Sequence, residues 1–174
     1  MNWIIVHHDR TEIGELVLGS FQGRLCVLGF GNHDMAQLVT DRIGKRLGAD
    51  VTEGDDALLE ETRRQIDEYL SGTRKEFDIP LLLVGTDFQR SVWNALLQVP
   101  YGATASYLQI ARAIGKEKAV RAVGNACRAN PIGIIVPCHR IIGSDGSLVG
   151  YYGGLSLKRR LLNLERGHTP LFQG

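Results

Sequence analysis

The chain opens with short stretches in which apolar residues cluster or alternate rather than recur every three or four positions. "NWIIVHHD" and the two halves of "GELVLGSFQGRLCVLGF" are rich in β-branched and aromatic residues, and "SFQG" between the halves supplies a turn. This pattern predicts three antiparallel strands. The period then lengthens. "HDMAQLVTDRIGKRLG" reads as a helix, and "DDALLEETRRQIDEYLSG" does so more plainly, with Leu58, Leu59, Thr62, Ile66, Tyr69 and Leu70 returning at helical spacing. Asp55 or Asp56 can cap its start, and Gly72 ends it. In "EFDIPLLLVG", Phe77, Ile79, Leu81 and Leu83 fall at period two, which predicts one more strand and a unit boundary near Val84 to Asp87.

Beyond that boundary the pattern is helical. A helix capped by Thr86 or Asp87 presents Phe88, Val92, Trp93 and Leu96 on one face and stops at "VPYG". "SYLQIARAIG" and "KEKAVRAVGNACRANP" are two short helices joined at Gly115, a spacing that resembles a helix-turn-helix. On the second, Lys118, Arg121, Asn125 and Arg128 recur at steps of three and four and make one cationic stripe. Ala119, Ala122, Gly124 and Ala126 keep the rest of its surface thin, so its backbone can press into a groove. "GLSLKRRLLNLERG" is a final helix with Ser156 as its expected N-cap.

Charge sharpens this division. The 174 residues carry a net charge of only +1, yet residues 1–85 hold 9 Lys and Arg against 15 Asp and Glu, and residues 86–174 hold 11 against 4. The second part is a candidate surface for a polyanion. The 3 cysteines, Cys26, Cys127 and Cys138, are odd in number and irregularly spaced, so neither a disulfide framework nor a C-x-x-C metal site is expected, and a reducing compartment is. His7, His8, Cys26 and His33 suggest no closed set of four zinc ligands. No apolar run is long enough to span a bilayer, and "MNWIIVHHDR" lacks the apolar core of a leader peptide, so the expectation is a soluble intracellular, cytoplasmic protein without a membrane partner.

Two features of the basic part carry chemistry. In "IIVPCHRII", residues 134–142, a cysteine, a histidine and an arginine follow a proline inside an apolar run. Pro137 removes a backbone donor and holds Val136 extended, so a β-like "IGIIV" should stop there and present Cys138 at its end. A thiolate needs a base to form at neutral pH, and His139 is adjacent. Neighbours on a strand face opposite ways, so a bridging water between Cys138 and His139 is expected, with Glu165 on the other ring nitrogen. The second feature is Glu165 itself. Stepping about 100° per residue from Leu157 puts Leu164 at about −20°, Leu161 at about 40°, Leu162 at about 140° and Glu165 at about 80°, in the middle of the apolar stripe. An inward carboxylate needs a partner: either a salt bridge to an arginine such as Arg140, or a histidine that it orients. Nearby, "GSLVGYYGG" is a Gly-rich loop able to approach a flat ligand, Asn130-Pro131 turns the chain toward the cysteine, and Tyr107 stands at the start of the first paired helix.

"PCHR", the upstream "RAVGNACRANP" and the downstream "GYYGGLSLKRRLLNLE" resemble the O6-alkylguanine-DNA alkyltransferases over roughly residues 86–165, while residues 1–85 resemble them in size and element order. The resemblance implies an α+β fold: a ribonuclease-H-like α/β domain over residues 1–85 with a small antiparallel sheet, and a DNA-binding and alkyltransferase domain over residues 86–174, mainly helical with a winged-helix-like helix-turn-helix. It also implies direct-reversal DNA repair, in which Cys138 takes an alkyl group from O6-alkylguanine once and irreversibly, with no cofactor and no metal. His139 would act as base through water, Glu165 would orient it, Asn130 would hold the turn under the site, and Tyr107 would protonate the leaving base. Arg121 would fill the stack behind the flipped nucleotide while Lys118, Ala122, Gly124, Asn125 and Arg128 meet the minor groove of double-stranded DNA. Ile141, Tyr151, Tyr152 and Gly153 would line the substrate pocket, with the backbone of residues 138, 141 and 152 on the guanine edge. The resemblance further implies a monomer in solution, able to cluster cooperatively on DNA. Two other functions remain to be weighed: a non-catalytic binder of alkylguanine DNA, which would dispense with Cys138, and a cysteine hydrolase, which would turn over repeatedly and would not take its nucleophile and base from adjacent positions.

Overall fold

The structure is a computed structural model that describes residues 2–31, 33–148, 150, 151 and 153–167. Its first strands, β1 (Trp3–Thr11), β2 (Gly14–Phe21) and β3 (Arg24–Phe30), form the expected antiparallel meander. Gln22 and Gly23 both take positive φ, at 50° and 76°, in the turn that returns Phe21 onto Arg24. Primed turns of this kind match strand twist, and Gly removes the cost at one of the two positions. Helix α1 (His33–Leu47) then leads to a strand that the pattern did not predict, β4 (Asp50–Glu53), which pairs parallel to β1 and completes the order β3-β2-β1-β4. The sheet is therefore mixed rather than wholly antiparallel.

β1 alternates buried and less buried positions near its start, whereas β2 and β3 are buried in nearly unbroken runs. Unbroken burial means that both faces are covered. Ala36 and Ile43 of α1 join Ile4, Val6, Val17 and Val27 in one cluster, and α2 (Ala57–Leu70) packs on β2 and β3 with Leu59, Ile66, Tyr69 and Leu70 buried. Asp56 is the cap of α2, accepting from the Leu59 amide at 2.8 Å. The strand expected over residues 76–85 does not form. Leu25 and Leu81 make an isolated parallel bridge, with Leu25 N donating to Pro80 O at 2.9 Å and Leu82 N to Leu25 O at 2.8 Å. Pro80 has no amide hydrogen to extend the ladder, so period two in the side chains is not matched by donors in the backbone.

The chain divides at Val84/Gly85 into two compact units. The second begins with α3 (Asp87–Leu96), capped by Thr86 in a reciprocal capping box with Gln89. Gly85 has to be glycine here: a Cβ would lie 2.5 Å from the Trp93 ring. Trp93, Val92 and Leu96 are buried, and Trp93 Nε1 donates to Ala126 O at 2.9 Å, which fixes α3 to α5 (Val120–Arg128). Between them, β5 (Ala105–Ser106) leads straight into α4 (Tyr107–Ala113), and β5 pairs parallel with β6 (Ile141–Ile142). Helix α6 (Leu155–Glu165) is capped by Gly154, at φ 95°, rather than by Ser156, which lies one residue inside the helix. Helix α5 starts later than expected, so Lys118 precedes it and does not share its face. Among the described residues no helix is long and apolar enough to cross a membrane.

Candidate active site

Residues 131–140 are all buried, yet they are not the end of a strand. Ile134 takes φ 67°, and successive short-range bonds, Ile135 N to Gly133 O at 2.7 Å, Val136 N to Ile132 O at 3.2 Å and Cys138 N to Val136 O at 2.8 Å, fold "IGIIV" into consecutive turns. A β-branched residue in the left-handed region costs about 1–3 kcal/mol, so the surroundings must impose it. Asn130 does so from inside. Its Oδ1 accepts from Ile132 N at 3.0 Å, and its Nδ2 donates to Val136 O at 2.9 Å and to the Cys138 sulfur at 3.4 Å. The apolar run is buried because it wraps a buried amide. Cys138 then opens a 3-10 turn, Cys138–Arg140, instead of closing a strand, so alternation does not set the directions of Cys138 and His139.

Glu165 lies on the inner side of α6 and takes both partners between which its helical position left a choice. His139 Nε2 is 2.7 Å from Oε2, while Arg140 donates Nε to Oε1 at 2.8 Å and Nη2 to Oε2 at 3.1 Å. Gly102 N adds a bond to Oε1 at 3.3 Å. Arg140 also donates Nη1 to Val99 O at 2.7 Å and stands over the Tyr101 ring, 5.8 Å from its centroid. Burial raises the pKa of Glu165, but the His139 hydrogen bond and the hydrogen bonds and charge of Arg140 outweigh it and hold the carboxyl at about 2. Burial lowers the pKa of His139 more than Glu165 raises it. The pair is thus an ionised carboxylate and a neutral imidazole that donates through Nε2, which leaves the lone pair on Nδ1, the nitrogen suited to accept a proton.

Cys138 is 4% exposed. Burial pushes its thiol up to about 11 despite the Asn130 bond and the charge of Lys158. It lines a cavity of about 10 Å³ with Tyr107, Cys127, Arg128, Gly150 and Tyr151, enough for about one water. The β5–β6 pairing explains the presence of Tyr107: Ala105 opposite Ile141 and Ser106 opposite Ile142 set the first residue of α4 beside the 3-10 turn. Burial, then the two cysteines, push its phenol up to about 12, so it remains a proton donor at neutral pH. Tyr151 meets His139 edge to face at 6.5 Å. A larger cavity, about 350 Å³, is lined by Thr104, Ser106, Gln109, Arg112, Ile142 and Ser144 among others. Arg112 in its lining is tied to Glu117, and among the described residues no cysteine, histidine or carboxylate lines it.

Both parts of the chain match family models: residues 8–83 match the ribonuclease-like domain of 6-O-methylguanine DNA methyltransferase, and residues 87–167 match its DNA binding domain. A methylated-DNA--protein-cysteine methyltransferase of Methanosarcina barkeri is 55% identical over 108 residues, which cover 62% of this chain and 68% of that protein. The constitutive enzyme of that name from Bacillus subtilis is 40% identical over 157 residues, or 90% of this chain and 92% of its own. The chain belongs to the methylated-DNA--protein-cysteine methyltransferase family. Among solved structures, Mycobacterium tuberculosis OGT in complex with DNA superposes with a TM-score of 0.79 at 40% identity, covering 97% of this chain and 95% of the other. The mixed α+β fold, with a small sheet unit followed by a helical one, is that of the family.

The structure brings together Cys138, His139, Glu165, Asn130, Tyr107, Ile141 and Tyr151. Arg121, Ala122, Asn125 and Arg128 are exposed on α5, with Arg128 donating to the Asn125 side-chain oxygen. Gly124 lies between them, where a Cβ would reach only the Tyr107 ring, at 3.9 Å. Gly153 is half-buried, and Tyr152 lies outside the described residues. Among the described residues no cluster of three or more His, Cys, Asp or Glu could hold a metal; Cys26 instead donates to Gly19 O at 3.5 Å in the sheet unit. Lys158 is the residue that the pattern did not single out. It is fully buried and donates Nζ to Ile141 O. Its signal was legible, since at about 100° from Leu157 it falls next to Glu165 on the inner stripe.

Proposed function

We propose that this protein repairs alkylated DNA directly, by moving the alkyl group of O6-alkylguanine onto Cys138 in a single, irreversible displacement. The observation that carries the reading is the set of groups around one sulfur: a buried thiol beside a small cavity, an Asn130 amide on that thiol, and a neutral imidazole fixed by Glu165 one residue away. A thiol held at about 11 is protonated at pH 7, so attack requires its proton to leave. His139 takes it at Nδ1 through a water, and Glu165 stabilises the imidazolium through Nε2. The thiolate attacks the alkyl carbon in line, the C–O6 bond breaks, and Tyr107 gives its phenolic proton to a ring nitrogen of the departing guanine. Lys158 places a buried positive charge within reach of the sulfur as it ionises.

The DNA-binding surface follows the same logic. Residues 85 onward carry the positive charge, and α5 presents small residues and exposed cations along one side. In this reading α5 enters the minor groove of double-stranded DNA, Arg121 occupies the gap left by the extruded nucleotide, and Lys118, Asn125 and Arg128 meet the backbone. The cavity at Cys138 takes a methyl-sized group, so the purine itself lies against the backbone of residues 138 and 141, the Tyr151 wall and Gly153. The carbonyls of Cys138 and Ile141 accept from Ile141 N and Lys158 respectively, and a carbonyl oxygen can accept a second bond, which here comes from the guanine edge. Residues 1–85 form the N-terminal domain, and residues 86–174 bind DNA and accept the alkyl group. The protein works as a monomer in the cytoplasm, where its cysteines stay reduced, and it clusters on DNA when crowded.

A titration tests this reading. Methyl-labelled O6-methylguanine duplex added in excess should transfer one methyl per protein molecule and then stop. Transfer continuing past one equivalent would favour a hydrolase, and bound duplex with an intact lesion would favour a binding protein.

A further inference from the structure

Alkyl transfer to Cys138 gives Cys127 no role. This second thiol lies in the last turn of α5, is 6% exposed, and lines the same small cavity as Cys138. One residue fastens both: Asn130 donates its backbone N–H to Cys127 O at 3.3 Å and its side-chain N–H to the Cys138 sulfur at 3.4 Å. The space that both side chains line holds about one water, and the two thiols are near enough for the charge of one to act on the other. We propose that Cys127 and Cys138 form a dithiol site whose co-reactant is a peroxide, and that oxidation of Cys138 is trapped there as a Cys127–Cys138 disulfide.

The chemistry runs in two balanced steps. The Cys138 thiolate attacks one peroxide oxygen and the O–O bond breaks. Sulfur loses two electrons and becomes a sulfenic acid, and the departing oxygen takes a proton and leaves as water or an alcohol. The Cys127 sulfur then attacks the sulfenic sulfur. The S–S bond forms, the S–O bond breaks, and the Cys127 proton leaves with the hydroxyl as water. A dithiol reductant returns two electrons and two protons and reopens the site. The order of events is set by geometry: of the two sulfurs it is that of Cys138 that receives the Asn130 side-chain N–H, which favours its thiolate, so it is oxidised first. Trapping spares it the sulfinic and sulfonic states, from which a dithiol does not recover it. The benefit to repair rests on Cys138 being the alkyl acceptor; the disulfide itself does not.

The test uses the full chain. Reduced protein is treated with a few equivalents of hydrogen peroxide, remaining thiols are capped with N-ethylmaleimide, and the protein is digested without reductant. The expected product is a peptide linking Cys127 to Cys138, with Cys26 capped. Alkyl acceptance, scaled to each protein's own unoxidised level, should return with dithiothreitol at least about fivefold better in the wild type than in Cys127→Ser, whose Cys138 should gain about 32 or 48 Da. Wild-type Cys138 recovered as sulfinic or sulfonic acid beside a free Cys127, or equal recovery in both proteins, overturns the proposal; the wild-type peptide map decides even if the variant does not fold. A linked peptide in a protein that never accepts an alkyl group would leave this site standing and remove the proposed repair function.

Discussion

Among the described residues, the buried polar side chains of the sheet unit are Ser20, Thr40, Thr62 and Gln65, all uncharged; those of the helical unit are Asn130, His139, Arg140, Lys158 and Glu165. In the first set Thr40 and Thr62 bond to carbonyls four residues earlier and could be replaced by apolar residues at modest cost, while Ser20 donates to the Asp56 carboxylate and Gln65 bonds the backbone of Asp78. In the second set four of the five groups are ionisable: His139, Glu165 and Arg140 are bonded to one another, while Lys158 is held by Ile141 O and Asn130 by the segment around Cys138, and such groups are costly to bury unless each is paired. The cysteines repeat the contrast. Cys26 is fully buried among Ile4, Val17 and Val27, and burial pushes its thiol up to about 12. Cys138 is almost as buried and its pKa is also raised, but it stands next to a cavity, an amide donor and a cation. Burial alone does not separate a packing cysteine from a nucleophile. The neighbouring groups do.

The sharpest way to break this comparison is to remove each sulfur. Cys138→Ala should abolish methyl transfer from labelled duplex, and Cys26→Ala should leave transfer per folded molecule at the wild-type level. A folded Cys26 variant without activity would sink the distinction. The base can be isolated by pH. Because the His139 pKa is lowered and that of Cys138 is raised to about 11, single-turnover transfer should stay nearly flat from about pH 7 to 9. In His139→Ala it should instead climb about tenfold per pH unit as thiolate forms unaided. A steep wild-type profile would show that no internal base operates.

Breaking the buried network should cost more than breaking a local bond. Glu165→Gln strands Arg140 without its counter-charge and should lose about 3–5 kcal/mol in urea unfolding, against about 1 kcal/mol for Thr62→Val. Transfer should slow in the same Glu165 variant while duplex affinity holds. At pH, the sign follows from a carboxyl held at about 2 against an ordinary 4.5: its stabilising contribution is complete above about pH 4.5 and fades as pH falls toward 2. The smallest effect is expected at the exposed rim. Arg121→Ala should slow repair of duplex DNA about tenfold while leaving reaction with free O6-alkylguanine base unchanged; equal losses on both would remove it from base extrusion.

Much of this was legible from pattern and residue type. Thr86 and Asp56 cap helices because their side chains suit that position, and Glu165 faces inward because helical geometry puts it among leucines. What was not legible depended on tertiary partners. The four-residue β4 has little pattern of its own and exists because β1 offers it an open edge. "EFDIPLLLVG" alternates like a strand, but Pro80 leaves it a single bridge. "IGIIV" reads as a strand since it is apolar and buried, whereas its conformation is dictated by the side chain of Asn130. Lys158 is a different case: beside two arginines it resembles a solvated face, yet its angle around α6 puts it on the buried side.

Direct repair ends with the alkyl group on one sulfur, that of Cys138. Intact protein reacted to completion with an O6-methylguanine duplex, then digested and weighed, should carry about 14 Da on the Cys138 peptide, on that peptide alone, in every molecule that has repaired a lesion. An unmodified Cys138 peptide in a sample whose lesions have disappeared would contradict it.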